Sequence, residues 1–222
     1  ALHPAFPAEA SVPPRHAHTV RAGADQGTVL IMPAWSEAGL LGIKTVNIFP
    51  GNGARGLPGL HASYVLYDAR TGVPLALMDG NEITARRTAA ASALGVAFLA
   101  REDARRLLVL GTGRVARLLP AAMRSVRPAI ENVLVWNHRP QGAQALADEW
   151  RAQGLQAHAV DDLEAAVRSA DIVSCATLAT EPLVRGAWLA PGSHLDLVGS
   201  FTPQMREADP ACFAGGARTF VD

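Results

Sequence analysis

Residues Arg105 to Arg117 read RRLLVLGTGRVAR. The apolar run Leu107-Leu108-Val109-Leu110 ends at Gly111-Thr112-Gly113-Arg114-Val115-Ala116, and apolar residues then recur at helical spacing through Leu118, Leu119 and Met123. Strand, glycine-rich turn and helix in this order open a dinucleotide-binding unit, with Ala116 in the third small position of GxGxxG/A. Gly111 permits the tight turn, Gly113 lets a pyrophosphate approach the backbone, and Ala116 keeps the helix close to the sheet. First-turn N–H groups and the helix dipole then face the phosphates. Gly111, Thr112, Gly113, Arg114, Val115 and Ala116 are therefore the candidate phosphate-binding residues.

Downstream the pattern keeps alternating. Strands are expected at 132–136 (NVLVW), 156–160, 171–176 (DIVSCA), 194–198 (HLDLV) and 218–221 (RTFV), with helices over 141–153 and 162–169 and Asp161 as the cap of the latter. Six strands with helical crossovers predict an α/β fold, a Rossmann-type doubly wound parallel sheet. A further helix is expected around 207–213, begun or capped by Glu207 and Asp209.

Upstream, residues 1–26 are rich in proline and histidine with little periodic pattern, and Pro13-Pro14 stiffen the chain so that Arg15 projects. Strands are expected at 28–35, 42–49, 62–67 and 73–78, forming one sheet of a first α/β domain. Alternation puts Lys44 on one face with Val46 and Ile48. A helix over 81–100 carries Ile83, Ala90, Leu94 and Ala97 on one stripe, with Arg87 among them, whereas Arg86 reads as solvated. A guanidinium among small apolar residues needs an anion, supplied by a ligand or by an internal acid such as Asp79. His16, His18 and His61 are weaker candidates for proton relays. The expected domains are 1–100 for substrate binding and dimerisation, and 101–222 for dinucleotide binding.

The end of the second strand sorts NAD from NADP: an acid there bonds the ribose hydroxyl, while a basic end tolerates a 2′-phosphate. Here it reads Trp136-Asn137-His138-Arg139, without a carboxylate. Asn137, His138 and Arg139, helped by Arg114, favour NADPH, with NADH as the alternative if WNHRP is a plain surface turn.

Composition narrows the class. Twenty basic residues balance twenty acidic ones, which argues against a nucleic-acid or membrane-surface partner. No apolar run approaches bilayer length, and the first residues lack a signal-peptide pattern. Cys175 and Cys212 form no metal or redox spacing, so a reduced, cytoplasmic protein is expected.

Taken together, GIKTVNIFPGN, LMDGNEITARRTAAASALGVAFLA, LLVLGTGRVA, DIVSCATLATEPLV and HLDLVGSFTPQMREAD resemble the ornithine cyclodeaminase and mu-crystallin family, from Ser11 to Asp222. The resemblance implies a Rossmann domain joined to a dimerising substrate domain, a homodimer, and a ligand at the cleft between the domains. It also implies that Arg15, Lys44 and Arg87 clamp a substrate carboxylate, and that Thr177, Leu178, Val198, Gly199 and Ser200 lie along the nicotinamide. Members of the family start earlier and continue past Asp222, so a return segment to the first domain is expected beyond this chain.

One departure sorts among activities. Where ornithine cyclodeaminases resemble VGGDxPGKTE, with an aspartate that handles the substrate amine, this chain has Phe201. A phenyl ring cannot take up a proton. GSFTPQMREAD is instead similar to members that reduce cyclic ketimines, delta-1-pyrroline-2-carboxylate or delta-1-piperideine-2-carboxylate, to L-proline or L-pipecolate. The expected chemistry is hydride transfer from NADPH, with Arg15 and Arg87 holding the carboxylate, Lys44 serving the imine nitrogen and Phe201 helping to exclude water. The alternatives are an ornithine cyclodeaminase using NAD, an amino-acid dehydrogenase, and a mu-crystallin-like protein that binds a ligand with NADPH and does not turn it over.

Overall fold

The computed structural model describes residues 9–199 and 202–221. It separates into two compact units, Ala1–Ala85 and Arg86–Asp222, whose boundary falls inside a long helix.

Among the described residues, the first unit is a six-stranded antiparallel sheet in the order β1-β3-β4-β5-β6, with β2 beside β1 on the same edge of β3. Its strands are β1 (Ala10–Ser11), β2 (His16–Ala22), β3 (Asp25–Ser36), β4 (Leu40–Ile48), β5 (Leu60–Asp68) and β6 (Pro74–Asp79). β1 and β2 pair with opposite halves of β3, and Val12 to Arg15 carry the chain between them. The sheet has few buried side chains, Val46 being the one deeply buried strand residue with a side chain. Helix α1 (Gly80–Leu99) follows β6 directly. The Asp79 carboxylate accepts from the Asn81 N–H at 2.7 Å and the Glu82 N–H at 3.3 Å, satisfying donors that a helix start leaves open.

The second unit holds a five-stranded parallel sheet, ordered β11-β10-β7-β8-β9. β7 (Arg106–Leu110) leads to α2 (Arg114–Arg124), then β8 (Asn132–Trp136), α3 (Pro140–Ala152), β9 (Gln156–Ala159), α4 (Leu163–Ser169), β10 (Ile172–Cys175) and β11 (His194–Leu197). β7 is apolar on both sides because both faces are covered. Leu107 and Val109 meet Ala89, Ala93 and Val96 of α1 together with Leu119, Met123, Leu146 and Trp150. Leu108 and Leu110 meet the opposite layer, with Ala166, Val167 and Val184. Arg127 donates to the carbonyls of Ala97 and Ala100, closing the C-terminal end of α1 with a cation.

Several local expectations are corrected. Residues 218–221 form no strand: they follow the left-handed Gly215 and Gly216, find no neighbour to pair with, and leave Val221 93% exposed. The helix expected at 207–213 shrinks to a 3-10 turn, Pro210–Phe213, capped by Asp209. The cap of α4 is Asp162, whose carboxylate accepts from the Ala165 N–H, and not Asp161. β2 falls where little pattern was read, because its residues HAHTVRA show scant apolar alternation. No helix among the described residues is long and apolar enough to cross a membrane.

Candidate active site

The parallel sheet reverses its order at β7 and β10: the chain runs outward through β8 and β9 on one side and through β11 on the other. The crevice at the carboxyl ends of such strands is where this architecture receives ligands. The glycine turn lies there. Gly111 is left-handed (φ +101°), and a β-carbon on it would stand 2.5 Å from the Ala176 carbonyl oxygen, so no other residue fits. A β-carbon on Gly113 would meet nothing within 4 Å, which leaves the outer face of the turn open. Gly113 is the N-cap of α2 and supplies no side-chain cap, so the first-turn N–H groups of Arg114, Val115 and Ala116 stay available to an anion. Ala116 is fully buried against the sheet, and Thr112 is half-buried. These residues fit a dinucleotide pyrophosphate.

At the end of β8, the Asn137 side-chain amide donates to the Arg139 carbonyl at 3.1 Å and shapes the turn. His138 and Arg139 are exposed, as is Arg114. Among the described residues neither Arg114 nor Arg139 forms an ion pair, whereas Arg117 is joined to Glu149.

On the other side of the switch point, Thr177 and Leu178 follow β10, and Val198 and Gly199 follow β11. The Val198 N–H donates to the Cys175 carbonyl at 2.9 Å, which continues the sheet by one residue. Leu178 is 73% exposed, an apolar side chain standing open at the rim. Ser200 and Phe201 lie outside the described residues. Glu207 carries a role not read from the sequence: it is buried, and it joins the loops after β10 and β11. A carboxylate outside any periodic element gives no local signal of such partners. The buried Cys175 thiol below these loops is pushed well above its usual pKa, first by desolvation and then by the carboxylates of Glu207 and Asp196.

In the first unit, Lys44 lies between Met32 on β3 and Tyr64 on β5, with Met78 of β6 next in the same row. Directly opposed residues share a face, so Met32, Lys44, Tyr64 and Met78 line one side of the sheet, while Arg15 lies in the connection between β1 and β2. Lys44 is half-buried and Arg15 exposed. Asp79 opposes Ser63 on the other face, so as the cap of α1 it points away from Lys44. His16, His18 and His61 also lie on that other face, opposing Ile31, Val29 and Asn47, which removes them as relays to Lys44.

Arg87 departs from expectation. The buried stripe of α1 is Ala85, Ala89, Ser92, Ala93 and Val96, while Ile83, Ala90, Leu94 and Ala97 are half-buried and Arg87 is exposed. In so alanine-rich a helix the apolar residues surround the axis, and periodicity chooses the wrong face. Desolvation therefore gives Arg87 no reason to seek an anion. Nor is it tied to an internal acid among the described residues.

Known proteins resemble the chain along most of its length. A delta(1)-pyrroline-2-carboxylate reductase of Paracoccus denitrificans is 44% identical over 96% of this chain and 67% of its own length. The ketimine reductase mu-crystallin of Rattus norvegicus is 35% identical over 83% of this chain and 58% of its own. The structure of Thermococcus litoralis delta(1)-pyrroline-2-carboxylate reductase, in complex with NADH and L-proline, matches with a TM-score of 0.81 and 38% identity, over 90% of this chain and 62% of that one. The chain thus spans about three-fifths to two-thirds of the length of these relatives. The model of the ornithine cyclodeaminase/mu-crystallin family matches residues 4–221. With a glycine turn at the switch point of a parallel sheet, preceded by an antiparallel sheet bearing Lys44, the chain belongs to the ornithine cyclodeaminase/mu-crystallin family.

Proposed function

We propose that the protein reduces a cyclic ketimine, delta-1-pyrroline-2-carboxylate or delta-1-piperideine-2-carboxylate, to L-proline or L-pipecolate with NADPH, as a cytoplasmic homodimer. The observation that carries this reading is the row Met32–Lys44–Tyr64–Met78, a cation on a mostly apolar strip, suited to a small anion with a hydrocarbon ring. The named activities of the Paracoccus denitrificans and Rattus norvegicus relatives point the same way. When bound, the reduced nicotinamide supplies the hydride for the C=N carbon.

The residues of the chain supply the rest. Arg15 and Arg87 hold the carboxylate through charge-assisted hydrogen bonds, which fixes the ring so that its imine carbon is presented to the cofactor. Lys44 serves the imine nitrogen, donating the proton that makes the carbon a better hydride acceptor, directly or through a water. The turn from Gly111 to Ala116 seats the pyrophosphate, while Thr177, Leu178, Val198 and Gly199 line the nicotinamide. Arg139, with Asn137, His138 and Arg114, holds the 2′-phosphate. A second reading, use of NADH, is favoured by the cofactor bound in the Thermococcus litoralis relative.

The test is turnover, read by nicotinamide absorbance. Protein is mixed with NADPH and delta-1-pyrroline-2-carboxylate, and separately with NAD and L-ornithine or L-alanine. Oxidation of NADPH only in the first mixture, abolished by Lys44→Ala, supports the reading. Reduction of NAD with L-alanine, or proline formed from L-ornithine, overturns it. Cofactor binding without turnover of any of the three substrates favours a binding protein.

A further inference from the structure

Glu207 is 2% exposed, and its carboxylate accepts three hydrogen bonds. Oε1 receives the Thr177 backbone N–H and the Thr177 hydroxyl, both at 2.7 Å, and Oε2 receives the Gly199 N–H at 3.1 Å. Thr177 follows β10 and Gly199 follows β11, so one side chain staples the two loops on the β11 side of the switch point. The staple has a firm base. The Glu207 carbonyl accepts from the Leu183 and Val184 N–H groups at 2.9 and 3.0 Å, and the neighbouring Arg206 N–H donates to the Ala179 carbonyl at 2.7 Å.

The chemistry of the three partners specifies a carboxylate. Two are backbone N–H groups that can only donate, and the hydroxyl donates as well, so the residue between them must accept at both ends. An amide cannot, because its NH2 end would confront an N–H. Space is equally restrictive, since a β-carbon on Gly199 would collide with the Thr177 carbonyl and stand 2.7 Å from Glu207 Oε1. Thr177 in turn adjoins the phosphate turn, its Cγ2 lying 3.3 Å from where a β-carbon on Gly111 would be.

We propose that Glu207 is a positioning residue for the nicotinamide half of the dinucleotide: it holds the Thr177-Leu178 and Val198-Gly199 segments as the two walls between which the ring sits. The proposal rests on the dinucleotide part of the function proposed above and is independent of the substrate. It separates two halves of the cofactor. The adenosine and pyrophosphate moieties are served by Gly111–Ala116 and by the end of β8, which Glu207 does not touch. The ring lies on the side that Glu207 organises.

The test compares ligands with and without the nicotinamide. Dissociation constants for NADPH, NADH and ADP-ribose are measured by quenching of the intrinsic tryptophan fluorescence of the whole chain and of Glu207→Gln. Loss of one buried, charge-assisted hydrogen bond and confrontation of two donors should weaken NADPH and NADH by roughly tenfold or more, and ADP-ribose by less than about twofold. Weakening of all three alike, or of none, overturns the proposal. Should Glu207→Gln fail to fold, Thr177→Val removes only the hydroxyl and should give the same selective loss, about threefold; an unselective result there is equally fatal. If the unaltered chain binds no dinucleotide, this inference and the proposed function both fall. Intact binding without turnover leaves this one standing.

Discussion

The Tyr64 phenol oxygen occupies the space that a β-carbon on Gly42 would need. Gly42 and Lys44 are two apart on β4, so they share a face, and Tyr64 directly opposes Lys44. The missing side chain at position 42 lets the ring lie along β4 beside the lysine. Gly42→Ala should therefore cost about 1–3 kcal/mol, as overpacking does. Because the hydroxyl is the nearest clashing atom and the ring carbon Cζ, at 2.5 Å, the next, Tyr64→Phe in the Gly42→Ala background should recover part of that loss and not all of it. Additive effects of the two substitutions in a denaturant-unfolding cycle would contradict this packing.

Arg139 offers a test of cofactor choice. Arg139→Ala should weaken NADPH binding by roughly tenfold to a hundredfold, the worth of one or two charge-assisted hydrogen bonds, and change NADH binding by less than about twofold. Fluorescence titration measures both. Equal affinities of the unaltered chain for the two cofactors would remove the role assigned to the end of β8.

His194 opens β11 opposite Ile172, and burial lowers its pKa from the usual 6.5. The sign follows from which state binds the proton. Below pH 6.5 the unfolded chain protonates this imidazole while the folded chain resists, so acid favours unfolding; above 6.5 both states are neutral and the effect vanishes. Thermal midpoints should fall as pH drops from about 7.5 to about 5.5. His194→Gln should flatten that slope, and an unchanged slope would show that the histidine is not responsible.

Both cysteines are buried free thiols. Burial, then the adjacent Asp209, pushes Cys212 up to about 11. At pH 8 that leaves roughly one thiolate in a thousand, and Cys175 is shifted upward too. An aromatic disulfide reagent should therefore find almost no reactive thiol in the native protein and two after denaturation. Rapid native labelling of either residue would contradict this burial.

The local pattern of residues 105–124 was enough to read strand, turn and helix, because β7 is apolar on both sides and the glycines sit where only glycine or open backbone will serve. The strands at 132–136 and 171–176 were legible for the same reason, since burial in a covered parallel sheet favours apolar runs, and the helix at 141–153 was legible from Ala143, Leu146, Ala147 and Trp150 recurring on one buried face. Alternation likewise placed Lys44 on a face with Val46. The pairing of β2 could not be read this way, because an edge strand with exposed residues needs no apolar rhythm.

What sequence alone determined was the kind of each strongly patterned element and the place of the glycine turn at the end of β7. The tertiary structure decided which face of α1 is buried, with Arg87 left in solvent, and which donors Glu207 satisfies 30 residues away at Thr177. The reason is physical: backbone propensity and periodicity act over a few residues, whereas burial and hydrogen-bond partnership belong to whatever surface the folded chain brings alongside.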